Sequence, residues 1–206
     1  MATLKDFRDE RIRKLNELRA EGIDPYPAHT NRNVKIEDIL KSFDKYENQE
    51  VCAAGRITSI RSFGKLAFVV IEDDSASIQI FLKDAAAKFT KKLDTGDFLE
   101  ASGTVGKTKT GEISIFCEQP RILTKALRPL PGRDGFTNKE ERLRRRYVDM
   151  AVNKDVRERF IRRAKFWTAT RQFLNDHGFI EINIPVLEHT TGGADANPFV
   201  THMDAL

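Results

Sequence analysis

The sequence predicts an α+β protein: N-terminal helices over 1–50, a five-stranded β-barrel over 51–126, a linker over 127–150, and the opening of a second domain over 151–206. Two observations carry this. The apolar period is helical near the start, changes to two from Val51, and is helical again after residue 150. Within about 75 residues from Val51 the chain reads as three strands, a helix and two strands.

The first helix is expected from about Leu4 to Glu21. Thr3 can cap it, with Asp6 three residues on, and Gly22 closes it before Pro25-Tyr26-Pro27. Ile12, Leu15 and Leu18 make a narrow apolar stripe under many charges, which suits a helix lying on another surface. A short second helix is expected around Ile36 to Phe43.

Val51 to Phe63 reads as a strand with a bulge or bend at Gly55. Leu66 to Ile71 is a second, ended by the turn Asp73-Asp74-Ser75. In Ser77 to Leu82 the residues Ile78, Ile80 and Leu82 share one face, and Gln79 and Phe81 the other. A helical stretch, Asp84 to Leu93, ends at Asp94-Thr95-Gly96-Asp97. Phe98 to Val105 and Ile113 to Leu123 follow as strands. This is the order of an OB-fold, whose second and third strands form a face for oligonucleotides. An SH3-like barrel competes, but it lacks a full helix between its third and fourth strands.

Pro129, Pro131 and Gly132 mark the linker, which runs into ERLRRRY. Asp155 to His177 is expected as a long helix closed by Gly178, and Phe179 to Ile184 as a strand stopping at Pro185.

At 40% apolar and 32% charged residues the chain can bury a core and is not of disordered composition. The apolar runs are far short of the roughly 20 residues a membrane helix needs. MATLKDFRDERIRK has no apolar segment for secretion, so a cytoplasmic location is expected. Cys52 and Cys117 form no CxxC pair and are expected as reduced strand residues. His29, His177, His189 and His202 show no metal-ligand spacing. Residues 121–167 hold 15 basic and 6 acidic residues, a net +9, whereas 168–206 hold 1 and 5, a net −4. A basic block of this kind suits contact with nucleic acid, or else a solvated helix face.

An OB barrel reads unstacked bases by aromatic stacking and edge hydrogen bonds. Arg61, Phe68, Gln79 and Glu112 would supply a guanidinium, an aromatic ring, an amide and a carboxylate on or beside its strands. By pattern alone Phe68 reads more readily as core, and Gln79 and Glu112 as solvent-facing polar residues.

The stretch AGRITSIRSFGKLAFVVIEDDSASIQIFL resembles the anticodon-binding barrel of class II lysyl-tRNA synthetases. KTKTGEISIFCEQPRILTKALRPLP is similar to the end of that barrel, and ERIRKLNELRAEGIDPYP to the start of these enzymes. RLRRRYVDM and FLNDHGFIEINIPVL resemble the approach to class II motif 1 and the motif itself, a long helix and then a strand ending at proline. TTGGADANPFVTH resembles the glycine-rich stretch that follows, and it argues against the related aspartate and asparagine enzymes.

The resemblance implies a lysine–tRNA ligase that uses ATP and Mg2+ and binds lysine and tRNA as a homodimer. It implies that Arg61, Phe68, Gln79 and Glu112 read the uridine-rich lysine anticodon, with Phe68 stacked on the central base. Gly193 matches a glycine lining the lysine pocket, where a side chain would block the amino acid, and Pro185 belongs to the dimer motif. Asn183-Ile184 stands where the family has threonine before the proline, and Asn197 where it commonly has arginine. The family's catalytic residues correspond to positions beyond Leu206, so no catalytic residue is assigned and the chain alone is expected to be inactive. The alternative is a non-catalytic RNA-binding module that keeps a partial synthetase domain.

Overall fold

The computed structural model describes residues 3–132, 136–187, 197, 199–202 and 204. The chain divides into two compact units, Met1–Arg142 and Leu143–Leu206.

In the first unit, α1 (Leu4–Ala20) starts at a capping box: Asp6 N donates to Thr3 Oγ1 and Thr3 N to Asp6 Oδ2. It ends at Gly22 (φ 76°) in a Schellman motif, with Ile23 N bonded to Leu18 O and Gly22 N to Arg19 O. Leu15 and Leu18 are buried, and so is Arg11, whose guanidinium donates to Ala126 O (2.9 Å) and Thr95 O (3.0 Å). The helix lies on the barrel by one stripe, as its pattern predicts. The single short helix expected near Ile36 is two pieces, α2 (Ile36–Lys41) and α3 (Phe43–Tyr46), broken at Ser42.

The barrel strands are β1 (Glu50–Phe63), β2 (Leu66–Glu72), β3 (Ser77–Lys83), β4 (Phe98–Lys107), β5 (Ile113–Cys117) and β6 (Arg121–Thr124). Helix α4 (Asp84–Phe89) and a 3-10 turn (Thr90–Lys92) lie between β3 and β4. The hydrogen-bonded order is β1-β2-β3-β5-β4-β6, and β1 also pairs with β4, which closes the barrel. All these pairs are antiparallel except β3–β5. That is the OB-fold.

Two expectations are corrected here. The irregularity in β1 falls between Ile57 and Ser59, not at Gly55. Gly55 is required for another reason: a Cβ there would lie 2.7 Å from Glu72 O across the sheet. The strand expected over Ile113 to Leu123 is two. Beyond Cys117 the chain leaves the ladder at Glu118–Pro120, where proline has no N–H to give, and rejoins β4 as β6.

Inside, Ala67, Val69, Ile71, Ile78, Ile80, Leu82, Leu99, Val105 and Ile115 form the core with Leu18, Ile36 and Ile39 of the helices. Cys52 and Cys117 are buried and unpaired, and burial pushes the Cys117 thiol up to about 11. Lys125, with its side chain wholly buried, donates to Asp94 Oδ2 (2.5 Å) and Asp97 Oδ2 (2.7 Å). Asp97 Oδ1 accepts from Ala126 N, and Lys14 of α1 pairs with Asp94 at 2.8 Å. This network ties α1 to the turn before β4.

Helix α5 (Lys139–Arg144) spans the division between the units, and α6 (Arg146–Val152) and α7 (Lys154–Asp176) follow. The stretch read as a linker therefore holds helices. Arg146 donates to the buried Asp149 at 2.7 Å and lies over the Phe160 ring at 5.6 Å. Gly178 (φ 82°) closes α7 in the same Schellman motif as α1, with Phe179 N bonded to Leu174 O. The strand expected over Phe179 to Ile184 is not formed. Residues 179–187 carry no regular element and are exposed, Ile180 to 84% and Val186 to 94%. A strand exists through its ladder, and among the described residues nothing pairs with this one.

Candidate nucleic-acid interface

The outer faces of β1, β2, β3 and β5 form a grid set by register. Arg61 of β1 is opposite Phe68 of β2, Phe68 is opposite Phe81 of β3, and Phe81 is opposite Phe116 of β5. One step along, Val70, Gln79 and Ser114 make the next row. The alternation that buries Ala67, Val69, Ile71, Ile78, Ile80 and Ile115 turns these residues outward. Phe68 thus belongs to the outer face, half-buried, and not to the core its pattern favours.

The phenyl rings form a continuous row. Phe63, 63% exposed at the rim, lies 6.2 Å from Phe68; Phe68 lies 5.4 Å from Phe81, and Phe81 5.1 Å from Phe116, all tilted or edge-on. Edge-to-face packing fixes ring planes and leaves a π-face free for a further ring. Gly106 permits this row, since a Cβ there would stand 3.0 Å from the Phe116 ring.

Beside the rings runs a directed chain of hydrogen bonds. Arg61 Nη2 donates to Gln79 Oε1 (3.2 Å), Gln79 Nε2 donates to Ser114 Oγ (2.9 Å), and Ser114 Oγ donates to Glu112 O (3.3 Å). Gln79 is only 7% exposed and Ser114 is buried, while Arg61 is exposed. Glu112 is exposed, one residue before β5, and its backbone is held by Thr108. The structure therefore gathers Arg61, Phe68 and Gln79 on one face and links Glu112 to them through Ser114. An exposed guanidinium, an aromatic row and an oriented amide are what is needed to hold and read an unstacked base.

Sequence reasoning missed Phe63, Phe81, Phe116 and Ser114. Parity was the available signal for Phe81, which alternates with the core residues of its strand as Gln79 does. The β3–β5 pairing that brings Ser114 to Gln79 is a parallel contact across the barrel, which no local pattern reveals.

Pro185 is exposed, within the segment that has no regular structure. Gly193 lies outside the described residues. Among the described residues no group of three or more His, Cys, Asp or Glu is gathered where a metal ion could be held. No helix among them is long and apolar enough to cross a membrane.

Residues 51–123 match the family model described as an OB-fold nucleic acid binding domain, and 138–206 match that of class II tRNA synthetases of the D, K and N group. By these two matches the chain is similar to class II tRNA synthetases and to their anticodon-binding OB domain. The relatives it matches include lysine–tRNA ligases: it is 43% identical to that of Roseiflexus sp. (strain RS-1) over 98% of this chain. It is 39% identical to the Thermotoga maritima enzyme over 98% of this chain, and 38% identical to the Enterococcus faecalis enzyme over all of it. The chain spans 44%, 43% and 44% of those three relatives.

Proposed function

We propose that this chain supplies anticodon recognition to a lysine–tRNA ligase, an enzyme that joins lysine to its tRNA at the expense of ATP with Mg2+. In this reading 51–126 is the anticodon-binding domain, 127–150 joins it to the catalytic domain, and 151–206 begins that domain. Phe68 stacks on the central base, Gln79 reads its edge, and Arg61 and Glu112 take part in reading the anticodon bases. Gly193 lines the lysine pocket, Pro185 belongs to the interface of a homodimer, and the enzyme works in the cytoplasm.

The observation that supports it most is the coincidence on one outer face of the phenyl row with the Arg61–Gln79–Ser114 chain. A barrel whose outer face merely shed water would not need a nearly buried amide held at both ends. Titration of the chain with a stem-loop bearing the lysine anticodon UUU, and with the same stem carrying GGG, tests the reading. Clear preference for UUU is expected. Equal affinity for the two would remove it.

A further inference from the structure

Ser114 touches no base in the reading above, yet the direction of its hydrogen bonds has a consequence for selectivity. A glutamine amide can turn over by 180° and exchange its donor and acceptor at little cost unless its partners forbid it. Arg61 can only donate, so it forces Oε1 toward itself. Ser114 has one proton, and it is directed to Glu112 O; what the hydroxyl offers Gln79 is a lone pair, which accepts only from Nε2. Both partners demand the same orientation. They differ in permanence: Arg61 is an exposed, long side chain, whereas Ser114 is fully buried on β5 in register with Gln79.

With a pyrimidine held by stacking on Phe68, its N3 meets one atom of the amide. Oε1 at that place accepts from the N3–H of uracil. Nε2 there donates to the bare N3 of cytosine, while Oε1 accepts from its N4 amine. An amide free to turn serves both bases, and an amide held in one orientation serves one. We infer that Ser114 is the positioning residue that fixes the Gln79 amide and so makes the face discriminate uracil from cytosine at the central anticodon position.

The inference rests on the anticodon reading, and the experiment separates the two. Affinities of the full chain are measured for stem-loops with UUU, UCU and GGG. Wild type is expected to prefer UUU over UCU by roughly 5- to 150-fold, the range of one well-placed edge contact. Ser114→Ala is expected to bring that ratio to within about threefold of unity while UUU remains preferred over GGG. Ser114→Thr, which keeps the hydroxyl, is expected to retain the ratio. If the Ala variant does not fold, Ser114→Cys, close in volume with a weak acceptor, takes its place, and its ratio should fall too. A ratio unchanged in the folded variant, or an equal loss of affinity for UUU and UCU, overturns the inference and leaves Ser114 a packing residue. Wild type with no preference between UUU and UCU overturns it as well. Wild type with no preference for UUU over GGG overturns the anticodon reading itself.

Discussion

Arg61 and Gln79 belong to strands that are not neighbours, yet Nη2 of one lies 3.2 Å from Oε1 of the other. β2 runs between them, so the arginine crosses a gap of roughly 9–10 Å, two inter-strand spacings. Arg61 is opposite Phe68 and Gln79 opposite Val70, so the bond runs diagonally across β2 to an amide that is only 7% exposed. Charge and amide are thus coupled before any ligand arrives.

Phe68 takes no part in that bond, so the roles of Phe68 and Gln79 are separable. Phe68→Ala is expected to weaken binding of a lysine-anticodon stem-loop by about 1–3 kcal/mol whatever the central base. Gln79→Ala is expected to relax discrimination at that base. Calorimetric titration with matched stem-loops checks both, with circular dichroism to show the barrel intact. Unchanged affinity for Phe68→Ala would make the ring a structural part of the row.

The barrel's acid sensitivity should centre on Glu100. Its nearly buried carboxylate accepts from Thr30 Oγ1 (2.6 Å), Asn31 N (2.6 Å) and Arg121 (3.2 Å). Burial alone would raise its pKa, but the bonds from Thr30 and Asn31, with Arg121 nearby, outweigh that and hold it below the usual carboxylate range. A lowered folded pKa stabilises above the unfolded value and loses its effect as pH falls through the folded one. Glu100→Gln is therefore expected to cost about 1–3 kcal/mol at pH 7. The gap from wild type should narrow below about pH 4.5, the group's ordinary value. Urea unfolding from pH 7 to 3 measures it; a constant gap refutes the assignment.

Lys125→Met tests the buried cation. The change leaves Asp97 wholly buried without its partner, which is expected to cost about 3–5 kcal/mol at neutral pH. Burial already raises the Asp97 pKa against the pull of Lys125, and removing the lysine raises it further. A raised folded pKa favours the fold at low pH and ceases to do so as pH rises through it, so the penalty should shrink toward pH 4. A penalty that grows on acidification would show that Asp97 does not carry it.

Residues 180–187 should exchange their amide hydrogens far faster than the barrel strands, because their N–H groups have no ladder. If Pro185 lies in a homodimer interface as proposed, protection there should rise with protein concentration as exposed Ile180, Ile182 and Ile184 become covered. Hydrogen exchange followed by mass spectrometry at two concentrations distinguishes the cases. Barrel-like protection in a demonstrated monomer would contradict both statements.

What could be read from residues alone follows the range of the interactions. Caps and closures are local, so Thr3, Asp6, Gly22 and Gly178 announced both helix ends. Alternation told inside from outside in β3, and with it the side on which Gln79 lies; β2 is apolar on both faces, so Phe68 read as core. The break at Glu118–Pro120 was hidden because β5 and β6 both lie along one edge of β4, and an uninterrupted apolar-rich run looks the same in either case. The bulge went to Gly55 by the rule that glycine bends strands, whereas Gly55 answers to the backbone of Glu72 across the sheet. Lys125 reads as one more member of a basic block; its burial depends on two aspartates some 30 residues earlier.

The bonds from Arg11 to Ala126 O and Thr95 O also bear on the order in which the protein takes shape as it is made. The arginine and its farther acceptor are 115 positions apart. At ordinary rates of synthesis Arg11 is joined to the chain roughly 6–23 s before that acceptor. During that interval its Leu15 and Leu18 stripe has no barrel to lie on, and the many charges of its other face are what keep it in solution. The helix is synthesised before the barrel and can be seated only once its acceptors at Thr95 and Ala126 are in place.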